Sequence, residues 1–239
     1  PLPQKVSWTG EKFPAEGTDL MHDKRVSVVM TGDLPGVPVN LDEAYVVSVN
    51  SDSIKITATT SEGIFRAFST LEQLVTRSGS DTWLPGCMIT DYPAFETRGF
   101  MHDAGRRFIP VPELKKEVHI LSRFKINTFH WHLTEDIAWR LASDIFPGLT
   151  DSSVTSRDTG YYSREDVRDF LMFCKEHYVE VIPEIDMPGH SAAFTRATGL
   201  SMQSPEGKEL VKKLLAEACA LFDGEYFHIG TDEVSITDP

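Results

Sequence analysis

Four short polar runs carry the groups that can do chemistry. The first, Phe227-His228-Ile229-Gly230-Thr231-Asp232-Glu233-Val234, ends an apolar stretch on two adjacent carboxylates. Side chains alternate along a strand, so neighbours converge on one ligand only where the backbone leaves the extended form, and Gly230 eases that departure. Two carboxylates this close do not both ionise freely, so one can stay protonated as an acid while the other stays anionic. Glycoside hydrolysis uses that division of labour: an acid for the leaving oxygen and an anion beside the developing positive charge. The competing reading is a solvated acidic pair, and the position at a strand end weighs against it.

The second run is His130-Trp131-His132-Leu133-Thr134-Glu135-Asp136. His130 and His132 share one face of a strand, where they can ligate a metal, orient neighbouring carboxylates or sit half-buried in a core. The third is Pro183-Glu184-Ile185-Asp186-Met187-Pro188-Gly189-His190-Ser191, in which Pro188-Gly189 marks a tight turn that presents His190 on a fixed loop. The fourth surrounds a short strand with Arg98, Arg106 and Arg107, side chains able to clamp sugar hydroxyls or to form structural ion pairs.

These runs need elements to hold them. Tyr45, Val47 and Val49 alternate, as do Ile54, Ile56 and Ala58, and Asn50–Ser53 between them reads as a turn, so a hairpin is expected. Ile64, Phe68, Leu71 and Val75 recur at helical spacing behind Ser61 as N-cap, and Ser78-Gly79-Ser80-Asp81 is expected to end that helix. After Asp91-Tyr92-Pro93 the rhythm becomes strand, helix, strand, helix. Strands are expected at 97–101, 126–133, 179–185 and 226–230. The first helix is expected over 112–124, the second behind the capping box Ser163-x-x-Asp166, and the third from Ser204-Pro205, with Val211, Leu214, Leu215, Ala218 and Phe222 inward. Alternating strands and helices imply parallel pairing, and all four polar runs then fall at the C-terminal ends of strands, where a (β/α)8 barrel gathers its catalytic groups.

Composition narrows the function classes. The chain has 239 residues, 41% of them hydrophobic, with a net charge of −13. That suits a folded globular protein and disfavours nucleic acid or an anionic lipid surface as partner. Insertion in a membrane is not expected, because no apolar run approaches the length of a span. No phosphate-binding glycine motif follows any strand. Three cysteines, Cys87, Cys174 and Cys219, are widely spaced, and Cys174 and Cys219 fall on apolar helix faces, so buried thiols are expected. The chain opens at Pro1 without a signal segment, which leaves secretion open.

Taken together, the runs resemble glycoside hydrolase family 20, the β-N-acetylhexosaminidases. Arg98-Gly99-Phe100-Met101-His102-Asp103 with Arg106, then Lys125-Ile126-Asn127 leading to His130–Asp136 and Trp139-Arg140, are similar to that family's first two barrel strands. Pro183–Ser191 is similar to its third strand, and His228–Glu233 to its catalytic strand. The fold implied is α/β: a small α+β N-terminal domain over 1–92, then the first half, about four β/α units, of a catalytic TIM barrel over 93–239. The resemblance implies hydrolysis of terminal, non-reducing β-linked N-acetylhexosamine from a glycan, with the substrate's 2-acetamido oxygen as nucleophile, and with neither metal nor other cofactor. Glu233 is then general acid and base, and Asp232 orients the acetamido group. Arg106 holds ring hydroxyls, and Glu135 with His190 forms a relay to Glu233. Asp136, His132, Asp186 and His228 take supporting roles. The family commonly has Asp at position 135, Gly at 231 and Gln-Gly at 137–138, where this chain has Glu135, Thr231 and Ile137-Ala138. The implied location is secreted or periplasmic, and the 239-residue chain alone is expected to have little activity. Two rivals stand beside this reading: a metal-dependent barrel hydrolase using His130 and His132, and a non-catalytic glycan-binding protein.

Overall fold

A computed structural model describes residues 1–15 and 19–234. The chain divides into two compact units. The first comprises Pro1–Arg98 and Ser122–Lys125, and the second begins at Gly99 and takes the rest of the described chain.

In the first unit, β1 (Lys5–Pro14), β2 (Val26–Met30), β3 (Tyr45–Val49) and β4 (Ile54–Ala58) precede helix α1 (Ser61–Leu74), and β5 (Thr76–Ser78) and β6 (Asp81–Asp91) follow it. The strands form one sheet in the order β1-β6-β3-β4-β2, with β5 paired to β6. The expected hairpin is present: β3 and β4 are antiparallel with Tyr45 opposite Ala58, and Asn50 Oδ1 accepts from the Asp52 and Ser53 amides across the turn. Alternation buries Val47, Val49, Ile54 and Ile56 against Ala67, Phe68 and Leu71 of α1. Two details differ from expectation. The helix is capped by Thr60, whose hydroxyl accepts from Gly63 N at 3.2 Å, so Ser61 is the first helical residue. The helix also stops at Leu74, and Ser78–Asp81 turns β5 into β6 instead of ending the helix.

A buried polar cluster ties this sheet together. The Tyr45 hydroxyl donates to Asp91 at 2.8 Å, and Lys125 Nζ lies 2.5 Å from the same carboxylate. Burial pushes the Tyr45 phenol up and the Lys125 ammonium down, and Asp91 opposes the latter shift by holding the ammonium charged.

The second unit contains β7 (Gly99–Asp103), α2 (Val111–Arg123, its last two residues in the first unit), β8 (Thr128–His132), α3 (Arg164–Glu176), β9 (Glu180–Glu184), α4 (Ala192–Thr198) and α5 (Pro205–Leu221). Strands β7, β8 and β9 are parallel and adjacent, as alternation with helices requires. Phe129 and Trp131 point to the helical side, where Trp131 packs on Phe170 and Tyr162 with ring centroids 4.8 and 4.5 Å away. Leu114, Val118, Val167, Phe170, Cys174, Leu214 and Ala218 complete that layer. The Ser163 capping box is reciprocal, with Asp166 N to Ser163 Oγ at 3.1 Å and Ser163 N to Asp166 Oδ2 at 2.9 Å. Among the described residues no helix is long and apolar enough to cross a membrane.

Two expectations fail in this unit. The fourth strand, expected over 226–230, is a single parallel bridge between Glu184 and His228. Its ladder stops there because Gly230, Thr231 and Glu233 have φ of 67°, 90° and 48°, which ends extended pairing. Cys219 is exposed on α5 whereas Cys87 and Cys174 are buried, and all three are free thiols. The apolar stripe of α5 passes through Leu214 and Ala218, and Cys219 lies one residue further round the helix.

Candidate active site

Parallel register puts Asp103 opposite His132 and His132 opposite Glu184, so three strand ends bring their polar residues to one line. Because alternate residues of a strand share a face, His130 and His132 lie away from the aromatic layer and both meet Glu184. His130 Nε2 is 2.6 Å and His132 Nδ1 2.9 Å from Glu184 Oε2. His228 Nδ1 approaches Oε1 of the same carboxylate at 3.2 Å, but that nitrogen accepts the Gly230 amide at 3.0 Å and so carries no proton toward Glu184. Glu184 is 3% exposed. Burial alone would raise its pKa, yet His130 and His132 outweigh burial and hold it well below the usual carboxylate range. His132 shifts in the complementary direction: burial opposes its charge, while Glu184, then Asp103 and Asp186, raise it.

The segment carrying the adjacent carboxylates is fastened to the end of β9 mainly by single bonds. His228 N donates to Pro183 O at 2.9 Å, Ile185 N to His228 O at 3.2 Å and Met187 N to Ile229 O at 3.1 Å. Asp186 adds a side-chain tie, its Oδ1 accepting Thr231 N at 3.2 Å, while its own amide donates to Thr134 Oγ1 at 2.9 Å. A side chain at residue 230 would stand 1.7 Å from Asp186 Oδ1, so this approach requires glycine. Burial raises the Asp186 pKa, Asp232 and Glu184 add to the shift, and the Thr231 amide and His190 oppose it. Asp232 and Glu233 themselves stand open, with side chains 66% and 79% exposed.

Glu135 is the hub of the remaining contacts. Its side chain is 4% exposed, and Oε1 meets Arg106 Nη2 at 2.5 Å and His190 Nδ1 at 2.8 Å. Arg106 also holds Asp103 at 2.6 Å, which with Glu135 strengthens its hold on its proton. With Nδ1 turned to Glu135, His190 presents Nε2 to Asp232 Oδ2 at 3.3 Å and to Glu233 Oε2 at 3.4 Å. His190 sits at φ 45°, and a side chain at Gly189 would collide with the Asp232 carbonyl, so this loop and the carboxylate segment pack backbone to backbone. Asp136 accepts the Ala192 amide at 2.9 Å and thereby anchors the start of α4, a structural duty one step from the chemistry.

The residues singled out from sequence (Asp232, Glu233, Arg106, Glu135, His190, Asp136, His132, Asp186 and His228) therefore gather at one end of the parallel sheet. Glu184, Thr134 and Asp103 join them without an individual role predicted from sequence. For Glu184 a signal existed: an anion at the end of β9 one register step from a His-x-His pair. Among the described residues, His130, Glu184 and His228, or His132, Glu184 and Asp186, lie close enough to share one metal ion, as do Glu135, Asp136 and His190. The arrangement as it stands offers an exposed pair of carboxylates faced by an oriented histidine, and a guanidinium beside it.

Comparison with known proteins gives a consistent result. Residues 1–92 match the profile of glycosyl hydrolase family 20, domain 2, and residues 95–205 that of the glycosyl hydrolase family 20 catalytic domain. The chain is 34% identical over 232 residues to a beta-hexosaminidase of Vibrio furnissii, covering 81% of this chain and 38% of the relative. It is 35% identical over 226 residues to one of Porphyromonas gingivalis, covering 80% of this chain and 29% of that protein. A β-N-acetylhexosaminidase structure from Bacteroides fragilis superposes with a TM-score of 0.86 at 27% identity, over 99% of this chain and 57% of the other. An exo β-N-acetylglucosaminidase from Vibrio harveyi, solved with N-acetylglucosamine, gives 0.83 at 28% identity, over 98% of this chain and 46% of that one. The chain thus spans less than half the length of these curated relatives, and its fold is a small α+β domain followed by part of a (β/α)8 barrel.

Proposed function

The chain belongs to glycosyl hydrolase family 20, and from that membership we propose that the whole protein removes terminal β-linked N-acetylhexosamine from glycans, retaining configuration by substrate assistance. The observation that carries this is His190 standing between buried Glu135 and the exposed Asp232–Glu233 pair. In this reading Glu233 protonates the departing glycosidic oxygen and later takes a proton from water. The substrate's own acetamido oxygen attacks the anomeric carbon, so no protein nucleophile is needed. Asp232 orients the acetamido nitrogen and offsets the positive charge that develops on the cyclic intermediate. Arg106, held in place by Asp103 and Glu135, offers its remaining N–H groups to sugar hydroxyls.

The reading draws further support from its beta-hexosaminidase relatives and from N-acetylglucosamine bound in the Vibrio harveyi structure. A glycan substrate suits a secreted or periplasmic protein, and we place its action there. The 239-residue chain alone is expected to turn over little, since it spans 38% of the Vibrio furnissii relative. The test is release of an aryl leaving group from N-acetyl-β-glucosaminide and -galactosaminide by the whole protein beside its Glu233→Gln variant. Cleavage that the variant loses by on the order of 10²–10⁴-fold, as removal of a general acid causes, supports the reading. Silence of the parent on both sugars overturns it.

A further inference from the structure

On the outer, helical side of the second unit, two histidines face each other. His119 of α2 is exposed and His177, the C-cap of α3, is half-buried. His119 Nδ1 and His177 Nε2 are 3.4 Å apart while the ring centroids are 5.6 Å apart, so the two nitrogens lie on facing ring edges. The His177 ring is fixed in two ways. It stacks on Phe173 with centroids 4.1 Å apart, and its Nδ1 lies 2.9 Å from the Phe173 carbonyl. A carbonyl only accepts, so Nδ1 carries the proton, and Nε2 of the neutral ring accepts from His119 Nδ1–H; a metal ion would take the place of that shared proton, with His119 keeping its proton on Nε2. A metal-ligating histidine ordinarily has this arrangement, its second ring nitrogen donating to a backbone carbonyl.

The spacing fits as well. Zinc–imidazole bonds of about 2.0–2.1 Å at a tetrahedral angle put two ligand nitrogens about 3.3–3.4 Å apart. We propose that His119 and His177 form a two-histidine site for one divalent transition-metal ion of the zinc class, clipping α2 to α3. Imidazole pairs suit zinc, nickel and copper ions, and water completes the coordination at this exposed position. The net charge of −13 favours cations at the surface generally. Lys115, one turn before His119, lies over the Phe173 ring at 5.3 Å and is neutralised by Asp169 at 2.7 Å. The inference is independent of the proposed hydrolytic activity.

Zinc chloride titrated by calorimetry into the chelator-treated protein tests it, with His119→Ala, His119→Gln and His177→Ala variants in parallel and circular dichroism to confirm that each is folded. The expected result is one saturable equivalent whose affinity falls at least about tenfold in every folded variant, the loss that even an outer partner of a metal ligand causes. Copper(II) bound to the parent should show two imidazole nitrogens in its paramagnetic resonance spectrum, and one in either alanine variant. Because His119 is exposed, its variants stay informative even if loss of the His177 stack disturbs folding. No saturable binding overturns the proposal and leaves an ordinary hydrogen-bonded histidine pair. Binding that persists undiminished in the His119 variants overturns it too, and assigns the metal to another group, such as that around Glu184.

Discussion

Nδ1 of His190 lies 2.8 Å from Oε1 of Glu135, a carboxylate that Arg106 grips from its other side. One buried anion therefore orients both the histidine that faces the carboxylate pair and the guanidinium beside it. An orienting group behind a histidine is how enzymes fix which ring nitrogen acts, and removing the orienting charge costs rate even when geometry survives.

Glu135→Gln in the whole protein should accordingly lower kcat by at least about tenfold, the loss typical of deleting a supporting partner. Glu135→Asp should retain most of the activity, because it keeps the charge. Steady-state kinetics on an aryl N-acetyl-β-hexosaminide separate the cases. A Gln variant as active as the parent would remove Glu135 from the relay.

Stability should peak in mildly acidic solution because of Glu184 and His132. Glu184 has its pKa depressed in the fold, so its contribution is present above the ordinary value of 4.5 and fades as pH drops through the folded value. His132 has its pKa raised, so its contribution is present below the ordinary value of 6.5 and fades as pH climbs through the folded one. Both are fully present only between these two ordinary values. Urea unfolding across pH 3–9 in the parent and in Glu184→Gln should show the variant less stable by about 1–3 kcal/mol inside that window, the cost of a buried group losing its charged partner. Outside the window the difference should shrink, and a constant difference across the range would refute the linkage.

Gly230→Ala should damage the site more than the fold. The new methyl would meet Asp186 Oδ1, and residue 230 holds φ 67°. The left-handed backbone costs a non-glycine residue on the order of 1–2 kcal/mol, and relief requires Asp186 to release Thr231. The expected outcome is a folded protein by circular dichroism whose kcat falls well below the parent's. Full activity would mean that the 228–233 segment tolerates repositioning.

What the sequence made legible was local chemistry. The Asn50–Ser53 turn, the Ser163 capping box and the Ser204-Pro205 helix start each bond within three residues, so the spacing alone contains the answer. The polar runs at the ends of β7, β8 and β9 could be placed on one edge because parallel strand–helix rhythm leaves few alternatives. Strands β1 and β2 leave little trace in the sequence because most of their residues are exposed, and they pair with β6 and β4 far along the chain. Tyr226–Gly230 has the pattern of a strand, but three positive φ values after Ile229 are a backbone property that residue types only hint at. Glu184 as a hub is not legible in the sequence because its three histidine neighbours come from two different segments, and only register brings them together.

The three thiols offer a test of helix phase. Cys174 lies inside the α3 layer, where burial pushes its pKa up to about 12, and burial also raises Cys87 on β6. The thiolate is the reacting form, so at pH 8 a thiol of pKa about 12 holds on the order of 10³-fold less of it than an ordinary thiol near 8.5. Limited access adds to that protection. Cys219 sits on the exposed side of α5. Brief alkylation of the native protein with iodoacetamide at pH 8, followed by peptide mapping, should label Cys219 and spare Cys87 and Cys174, whereas labelling in denaturant should reach all three. Equal labelling of Cys174 and Cys219 in the native protein would mean that α5 is rotated from its described phase or that α3 opens readily, and either would loosen the layer that supports β8 and β9.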